Sequence, residues 1–254
     1  MTLSWPPGLG RIILDQVDST NAEAQRLAEA GKSDTWILAR QQTSGKGSRG
    51  RHWETGTANF AASLLTRPDA APAQAALRSF TAGLAVADTM RDLGVPEAAI
   101  SLKWPNDVLL EGQKCAGILL ESSGGGDRIA FLVIGIGINL TSAPPRSALA
   151  SRALPATCLA DHLPTAPDPE KVLDHLAHHM KRYEDMLERN GFTGIRDAWL
   201  GMAARHGQEI EVQQGDTRLR GRFETLDESG ALLLTTPTGQ QAISAGEIFF
   251  PSKL

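Results

Sequence analysis

Apolar residues recur with two different spacings over the first 140 residues, which predicts strands and helices in alternation. The polar turn Asp18–Asn21 opens a helix, in which Thr20 and Glu23 have the spacing of a capping box and Gly31 is placed at the end. A longer helix is predicted at about Ala73–Leu93. Strands are predicted on either side of these elements, at Gly10–Val17, Trp36–Gln42 and Ala58–Thr66.

The pattern changes further along the chain. Three or four apolar runs between Ile100 and Leu140 predict adjacent antiparallel strands, with Ser122–Asp127 as a hairpin loop. An amphipathic helix is predicted at Glu170–Arg189. After Trp199, short apolar segments alternate with Gly and Asp turns, as in a small β-barrel. Its predicted strands are Glu209–Gln213, Arg218–Leu226, Ala231–Thr236, Gln240–Ser244 and Ile248–Phe250. We therefore expect two domains, residues 1–204 and 205–254.

Composition narrows the classes of function and the compartment. A net charge of −4 over 254 residues gives no broad basic field for nucleic acid. Cys115 and Cys158 lie in apolar stretches without metal-ligand spacing, so we expect buried, reduced thiols. The apolar run at Ile129–Leu140 is too short to cross a bilayer, and the N-terminus lacks a signal sequence. We therefore expect a cytoplasmic protein that does not enter a membrane.

Three histidines have a spacing that can present a metal site on one helix: His175, His178 and His179. No motif elsewhere in the sequence connects an Asp, Cys or further His to them. We therefore interpret them as part of a solvated helix face.

The loop Gly45–Gly50 fits the pattern G-x-G-x-x-G and follows a predicted strand. A dinucleotide-binding loop leads directly into a helix, whereas this one leads into a β-like segment, so we reject that interpretation. Lys46, Arg49 and Arg51 stand in the loop with no acidic residue before Glu54. Such a loop can neutralise phosphate oxygens, and a solvated basic surface loop is the alternative.

A second segment, Lys103–Asp107, places a lysine among alternating apolar residues directly before a proline that interrupts the strand. This lysine can hold developing phosphate charge in a cleft, although most strand lysines are simply solvated. Lys114–Leu119 and Gly135–Asn139 carry glycines inside apolar strands. Glycine there indicates either close approach of a ligand or tight sheet packing.

Five blocks of the sequence together resemble the biotin protein ligase family in order and spacing. They are Asp18–Asn21, Gln42–Trp53, Lys103–Asp107, Lys114–Leu119 and Gly135–Asn139. The terminal segment Gly230–Leu234 resembles the family's small SH3-like barrel. The resemblance implies an α+β fold: a mixed, largely antiparallel sheet flanked by helices, related to class II aminoacyl-tRNA synthetases, with a C-terminal SH3-like β-barrel.

The same resemblance implies an enzyme that activates biotin with ATP and transfers it to a lysine of a biotin carboxyl carrier domain. Lys103 matches the family lysine that reaches the biotin carboxyl group and the α-phosphate, so it is the implied catalytic residue. The other implied biotin-binding residues are Ser19, Thr20, Asn21, Gln42, Gly45, Lys46, Gly47, Ser48 and Gly117. The implied ATP-binding residues are Lys46, Arg49, Arg51, Trp53, Asn106 and Asn139. Mg²⁺ is implied as the accompanying ion, and its ligands stay open.

The chain departs from the family pattern in two places. Ser48 stands where many members carry arginine, which puts retention of the reactive adenylate in doubt. The 17 residues before Asp18 are too few for a helix-turn-helix domain, so we expect the monofunctional type without DNA binding. The resemblance allows a homodimer. Two alternatives stay open: a lipoate ligase-like acyl transferase and a non-catalytic biotin sensor.

Overall fold

A seven-stranded sheet forms the larger part of the structure, a computed structural model that describes residues 4–51, 53, 58–124 and 127–250. Its strands are β1 (Gly10–Val17), β2 (Thr35–Gln42), β3 (Phe60–Thr66), β4 (Ile100–Lys103), β5 (Asp107–Leu110), β6 (Gln113–Ser123) and β7 (Phe131–Ile138). The spatial order is β1-β2-β3-β7-β6-β5-β4. Strands β1 and β2 are parallel, and the other neighbouring pairs are antiparallel. The predicted mixed, largely antiparallel sheet is confirmed.

A second sheet follows near the C-terminus. Its strands are β8 (Glu209–Gln214), β9 (Thr217–Leu226), β10 (Leu232–Thr236), β11 (Gly239–Ile243) and β12 (Glu247–Phe249). They are antiparallel, in the order β11-β10-β9-β8-β12. All five were predicted, and no bound differs by more than one residue, because turn residues such as Gly and Asp separate the apolar segments.

Helices cover the larger sheet. They are α1 (Thr20–Glu29), α2 (Pro72–Ala76), α3 (Arg78–Asp92), α4 (Pro169–Asn190) and α5 (Phe192–Gly201). The single helix predicted at Ala73–Leu93 is wrong in one respect, because it is divided at Leu77. There the backbone N–H of Leu77 donates to Gln74 O, three residues back, and tightens the turn. Within the described residues, no helix is long and apolar enough to span a bilayer.

Two other details of the sequence prediction need correction. Helix α1 begins at Thr20 behind Ser19, and Ser19 makes no side-chain cap hydrogen bond, so the Thr20–Glu23 capping box is wrong. The hydroxyl of Thr20 is bonded elsewhere, in the cavity described below. The hairpin predicted at Ser122–Asp127 is shortened by β6, which continues to Ser123, and residues 125 and 126 lie outside the described chain.

One continuous apolar core joins the two sheets. It includes Trp36 and Phe60 from the larger sheet, Trp199 from α5, and Phe223 and Leu232 from the smaller sheet. Each of these side chains is at most 2% exposed. The two free cysteines, Cys115 and Cys158, are buried as expected. The smaller sheet is thus packed onto the larger sheet through buried side chains, in addition to the chain connection between them.

The histidines of α4 are not all on a solvated face, which corrects that interpretation. His179 is 7% exposed, and its Nε2 lies 2.7 Å from an Asp92 oxygen. His175 Nδ1 lies 3.1 Å from the same oxygen, whereas His178 is exposed. Asp92 ends α3, so the contact joins α3 to α4. Sequence spacing on one helix could not reveal this partner, which is 83 residues away from His175.

We expect this contact to make stability depend on pH. Burial by itself raises the pKa of Asp92, but hydrogen bonds from His179 and His175 outweigh it and hold that pKa below 3.8. A carboxyl group whose pKa is lower in the folded than in the unfolded protein stabilises the fold at pH values above its unfolded pKa. This stabilisation is lost as the pH falls through the folded pKa. Urea unfolding should therefore show Asp92→Asn less stable than wild type at neutral pH, with the gap closing below about pH 4. Asp197→Asn controls for loss of one exposed carboxylate, and a gap independent of pH would contradict the expectation.

Candidate active site

A cavity of about 400 Å³ opens over the central strands of the larger sheet. It collects most of the side chains that the sequence singled out. Thirteen of them line it: Ser19, Thr20, Asn21, Gln42, Lys46, Gly47, Ser48, Arg51, Trp53, Lys103, Asn106, Gly117 and Asn139. Gly45 is not in the lining. Arg49 belongs to a 3₁₀ turn at Ser48–Gly50, and its side chain lies outside the described structure.

One end of the cavity is a buried polar network. Gln42 Oε1 accepts hydrogen bonds from the backbone N–H of Thr20 at 2.8 Å and from the Thr20 hydroxyl at 3.1 Å. The Ser63 hydroxyl lies 2.8 Å from Thr20 Oγ1 and 2.6 Å from Asn21 Oδ1. Asn21 Nδ2 donates to Glu121 at 2.6 Å. These bonds fix the orientation of several polar atoms on side chains that are almost fully buried.

Sequence reasoning missed Ser63 and Glu121 in this network. Ser63 lies in the middle of β3 among Ala and Leu residues, and it is fully buried. Glu121 lies on β6, 100 residues from its partner Asn21. The one available signal was a hydroxyl inside an otherwise apolar strand, because a buried polar group normally has a hydrogen-bond partner.

The floor of the cavity is made of glycine. Gly117 on β6 and Gly137 on β7 are directly paired across the two strands. The indole of Trp53 lies on them, since a Cβ added at Gly137 would stand 2.4 Å from Trp53 Cε2 and one at Gly117 would stand 3.3 Å from Cζ3. The indole N–H is buried and has no hydrogen-bond partner in the described part of the chain. The glycines are therefore explained by close approach of an aromatic ring.

The basic loop folds back on itself beside this floor. The N–H of Gly47 donates to Arg51 O at 2.7 Å, and the N–H of Trp53 donates to Gly45 O at 2.9 Å. At Gly45 a Cβ would lie 2.4 Å from Trp53 O, so glycine is required for the closure. Arg51 reaches Ser48 and forms an ion pair with Glu247 of β12 at 3.4 Å. The smaller sheet thus contributes a residue to the cavity lining.

Two lysines and one aspartate form the charged part of the cavity. Asp107, at the start of β5, lies 2.5 Å from Lys114 Nζ and 3.5 Å from Lys103 Nζ. Burial by itself raises the pKa of Asp107, but the two ammonium groups outweigh it and hold the pKa below its ordinary value. The Lys103 side chain is 8% exposed and that of Lys114 is 30% exposed. The two ammonium groups exceed the one carboxylate by one positive charge, which is available to an anionic ligand.

Lys114 and Asp107 belong to two of the blocks that resemble the family, but the resemblance implied no role for either residue. Their pairing follows from the register of β5 and β6, which contains an irregularity between Val108 and Leu109. Lys114 Nζ also lies 5.8 Å from the centre of the Trp53 ring. The position of Lys114 between the carboxylate and the ring over the glycine floor could not be derived from spacing alone, because a bulge changes which side chains meet.

Two asparagines hold the walls through the backbone. Asn106 Nδ2 donates to Ile118 O at 2.7 Å, and the N–H of Ile118 donates to Asn106 O at 2.9 Å. Asn139 is buried, and its Nδ2 donates to Thr157 O at 3.1 Å. Both amide N–H contacts therefore fix neighbouring strands and segments beside the cavity.

An apolar wall from residues 144–156 forms another part of the cavity lining, and the sequence did not predict it. It consists of Pro144, Ala148, Leu149, Ala150, Ala153, Leu154 and Ala156. Arg146 folds the segment, because its guanidinium donates to the carbonyls of Ala150, Ser151 and Ala153 at 3.2, 2.5 and 2.9 Å. Arg152 connects the wall to the smaller sheet through Glu211 at 2.7 Å. The sequence did not indicate the wall because the segment has weak periodicity, its one regular element being a 3₁₀ turn at Arg146–Ala148.

Comparisons with known proteins agree on one family. The profile described as "Biotin/lipoate A/B protein ligase family" matches residues 13–139, and "Biotin protein ligase C terminal domain" matches residues 206–250. A biotin–[acetyl-CoA-carboxylase] ligase of Paracoccus denitrificans is 45% identical over 238 residues, covering 94% of this chain and 99% of the relative. The bifunctional ligase/repressor BirA of Bacillus subtilis is 32% identical over 92% of this chain and 72% of its own length. Among solved structures, the biotin protein ligase of Aquifex aeolicus in complex with biotin and ATP is similar with a TM-score of 0.78 and 26% identity, covering 94% of this chain and 97% of that one.

Proposed function

The chain belongs to the biotin protein ligase family, and from this premise we propose that it activates biotin with ATP to biotinyl-5′-AMP and transfers the biotin to a lysine of a biotin carboxyl carrier domain. One observation carries the proposal. Along β6, Glu121 of the buried polar network is followed by Gly117 of the glycine floor and then by Lys114 of the Lys103–Asp107–Lys114 cluster, so the three features follow one another beside a single cavity. That order matches a ligand with a polar ring, an apolar tail and a carboxylate.

We assign the polar network to the ureido ring of biotin. Such a ring needs paired donors and acceptors in a pocket that excludes water. The polar atoms of Ser19, Thr20, Asn21 and Gln42 meet that need, with Ser63 orienting two of them. The thiophane ring and tail need only close backbone and apolar walls. We assign these to Gly117 with the Trp53 ring that lies on it, and to the loop residues Lys46, Gly47 and Ser48. Gly45, which does not line the cavity, closes the loop against the backbone of Trp53.

Replacing Ser63 by alanine should weaken biotin binding and leave ATP binding unchanged. Without the Ser63 hydroxyl the Thr20 and Asn21 side chains lose a bond that orients them. If one polar group in the complex is thereby left unpaired, the cost is about 1–3 kcal/mol, or about 5- to 150-fold in the dissociation constant. Titration calorimetry with biotin measures the change, and Ser244→Ala, at an exposed position between β11 and β12, is the control. Unchanged affinity for biotin would show that this network does not bind the ligand.

We assign Lys103 to the meeting point of the biotin carboxylate and the α-phosphate of ATP, with Lys114 beside it. A carboxylate oxygen attacks the α-phosphorus, the bond to the bridging oxygen breaks, and pyrophosphate leaves. The ammonium groups stabilise the charge that develops on the phosphoryl oxygens. Asp107 holds both lysines in place, and its lowered pKa makes it a poor proton acceptor.

The nucleotide is assigned to the remaining part of the cavity. Trp53 offers an aromatic face to the base, and Lys46, Arg49 and Arg51 offer positive charge to the phosphates. Asn106 and Asn139 fix the backbone beside them. The apolar wall at residues 144–156 lies next to Lys114, since the backbones of Lys114 and Ala156 form an isolated parallel β-bridge. It would shield the mixed anhydride from water until the acceptor amine attacks its carbonyl and releases AMP.

Magnesium is expected to enter as part of MgATP. The described residues contain no group of three or more His, Cys, Asp or Glu side chains that could hold a metal ion. The cavity carboxylates of Asp107 and Glu247 already have cationic partners. Magnesium commonly keeps several waters and is bound largely by substrate phosphates, which agrees with this arrangement. The domain boundary at residues 204–205, the cytoplasmic location, the lack of DNA binding and a homodimer stay predictions.

Biotin-dependent exchange of labelled pyrophosphate into ATP tests the proposal. We expect exchange with biotin and none with lipoate or octanoate, because the polar end of the cavity fits a ureido ring. Exchange with lipoate alone would support the acyl-transferase alternative. Binding of biotin without exchange would support the sensor and contradict the ligase.

A further inference from the structure

Lys103 lies between two residues that are both bound to the C-terminal part of the chain. On one side, the N–H of Leu102 donates to Met202 O, and the N–H of Ala204 donates to Leu102 O, each at 2.8 Å. This parallel bridge covers the outer edge of β4 with the segment that leads into the smaller sheet. The backbone before Lys103 is therefore fixed by the connection between the sheets.

On the other side, Trp104 reaches the smaller sheet directly. Its side chain is buried at 2% exposure, and its indole Nε1 donates to Gly230 O at 3.0 Å. Gly230 lies in the turn between β9 and β10. The backbone immediately after Lys103 is thus held by a turn that is 126 residues further along the chain.

The turn leaves no room for adjustment. Gly230 has φ +80°, and a Cβ at this position would lie 2.6 Å from Phe80 Cε2 and 3.3 Å from Leu77 Cδ2. Asp227 locks the turn, because its Oδ1 accepts the N–H groups of Ser229 and Ala231 at 2.8 and 2.9 Å. The turn is therefore held in one conformation and packs tightly against the start of α3.

The same small region of α3 holds the rest of the lysine-bearing loop. The hydroxyl of Ser79 donates to Pro105 O at 3.1 Å. Phe80, next in sequence, packs its ring against Trp199 of α5 at 5.4 Å between centroids. A shift of the turn at Gly230 would press on Phe80 and Trp104 together. Both residues adjoin the backbone that places Lys103 and Asp107 in the cavity.

We propose that Trp104 and Gly230 are positioning residues for adenylate formation, through which the C-terminal sheet sets the place of Lys103 and Asp107. The inference rests on the proposed function and gives the smaller sheet a part in the first half-reaction. Neither residue lines the cavity. They act through the backbone of Lys103, and a displacement of about 1 Å at a reacting group can lower a rate about 100-fold.

The test uses one variant from each side of the contact. Gly230→Ala brings a methyl group against Phe80, and Trp104→Phe removes the indole N–H but keeps an aromatic ring. Gly215→Ala is the matched control, because Gly215 is a positive-φ glycine in a turn of the same sheet with no atom within 4 Å of an added Cβ. Each test variant should lower kcat of biotin-dependent pyrophosphate exchange about 10- to 100-fold, with KM for ATP and biotin affinity within about twofold of wild type.

The double variant distinguishes positioning from general weakening. Trp104→Phe removes the hydrogen bond from Trp104 to Gly230 O, and the shift of the turn that Gly230→Ala forces disturbs the same bond. The double variant should therefore lower kcat no further than the worse single variant. Circular dichroism and urea unfolding identify folded protein, and Trp104→Phe keeps the test open if Gly230→Ala does not fold. Multiplying effects, or kcat equal to that of Gly215→Ala, would overturn the inference while wild type remains active. Wild type without exchange would overturn the proposed function as well.

Discussion

Lys103→Met is expected to slow biotin-dependent adenylate formation by about 100- to 1,000-fold, the usual effect of removing one preorganised group that stabilises transition-state charge. Lys103 is 8% exposed, so its ammonium acts where water screens little. Methionine keeps the length and apolar stem of the side chain. Asp107 retains Lys114 at 2.5 Å, so the variant leaves no unpaired buried carboxylate and should fold.

Single-turnover formation of biotinyl-5′-AMP, followed by quenching and chromatography, measures this effect. Lys114→Met tests the second ammonium in the same way, and its greater exposure predicts a smaller loss than at Lys103. Lys171→Met, at an exposed position on α4, is the control. A rate within about twofold of wild type for Lys103→Met would remove Lys103 from the chemistry and leave Lys114 as the principal cation.

Gly135→Ala should weaken biotin binding by about 100-fold, as expected for a forced shift of a bonded side chain in a packed pocket. A methyl group at Gly135 would stand 2.2 Å from Asn21 Oδ1. Asn21 cannot yield easily, because it is bonded to Ser63 and Glu121, each at 2.6 Å. The polar end of the cavity must therefore be rearranged.

Titration calorimetry with biotin and with ATP separates this effect from general damage. ATP affinity should change little, because the three atoms nearest to an added Cβ at Gly135 all belong to Asn21, and the Asn21 side chain is bonded to Ser63 and Glu121 rather than to the lysines of the charged cluster. Gly201→Ala is the control, since no atom lies within 4 Å of a Cβ added there. Normal biotin affinity in folded Gly135→Ala would place the ureido ring elsewhere.

The fold could be predicted largely from local pattern. Strand β1 and the five strands of the smaller sheet were found because their apolar residues are bounded by turn residues. The break between α2 and α3 at Leu77 was not found, because both helices continue the same apolar pattern. The capping box failed for a different reason: the Thr20 hydroxyl is bonded to Gln42, a tertiary contact that replaces the local one.

The candidate site could be predicted where motifs carry it. Lys103, Trp53 and Gly117 were identified by resemblance, and the structure brings them into one cavity. Ser63 and Glu121 were missed, because each depends on a partner from a distant strand. The apolar wall at residues 144–156 was missed because it has no regular period. Contacts between distant segments decide these positions, and a single sequence does not display them.

Transfer of biotin to a purified biotin carboxyl carrier domain, in the presence of ATP, tests the central claim most directly. Intact-mass measurement should show one biotinyl group added per carrier, at a single lysine located by proteolysis, and no addition to a lipoyl domain or in the absence of ATP. Lys103→Met should give little product over the same period. A carrier that stays unmodified while the folded protein binds biotin and ATP would contradict the account.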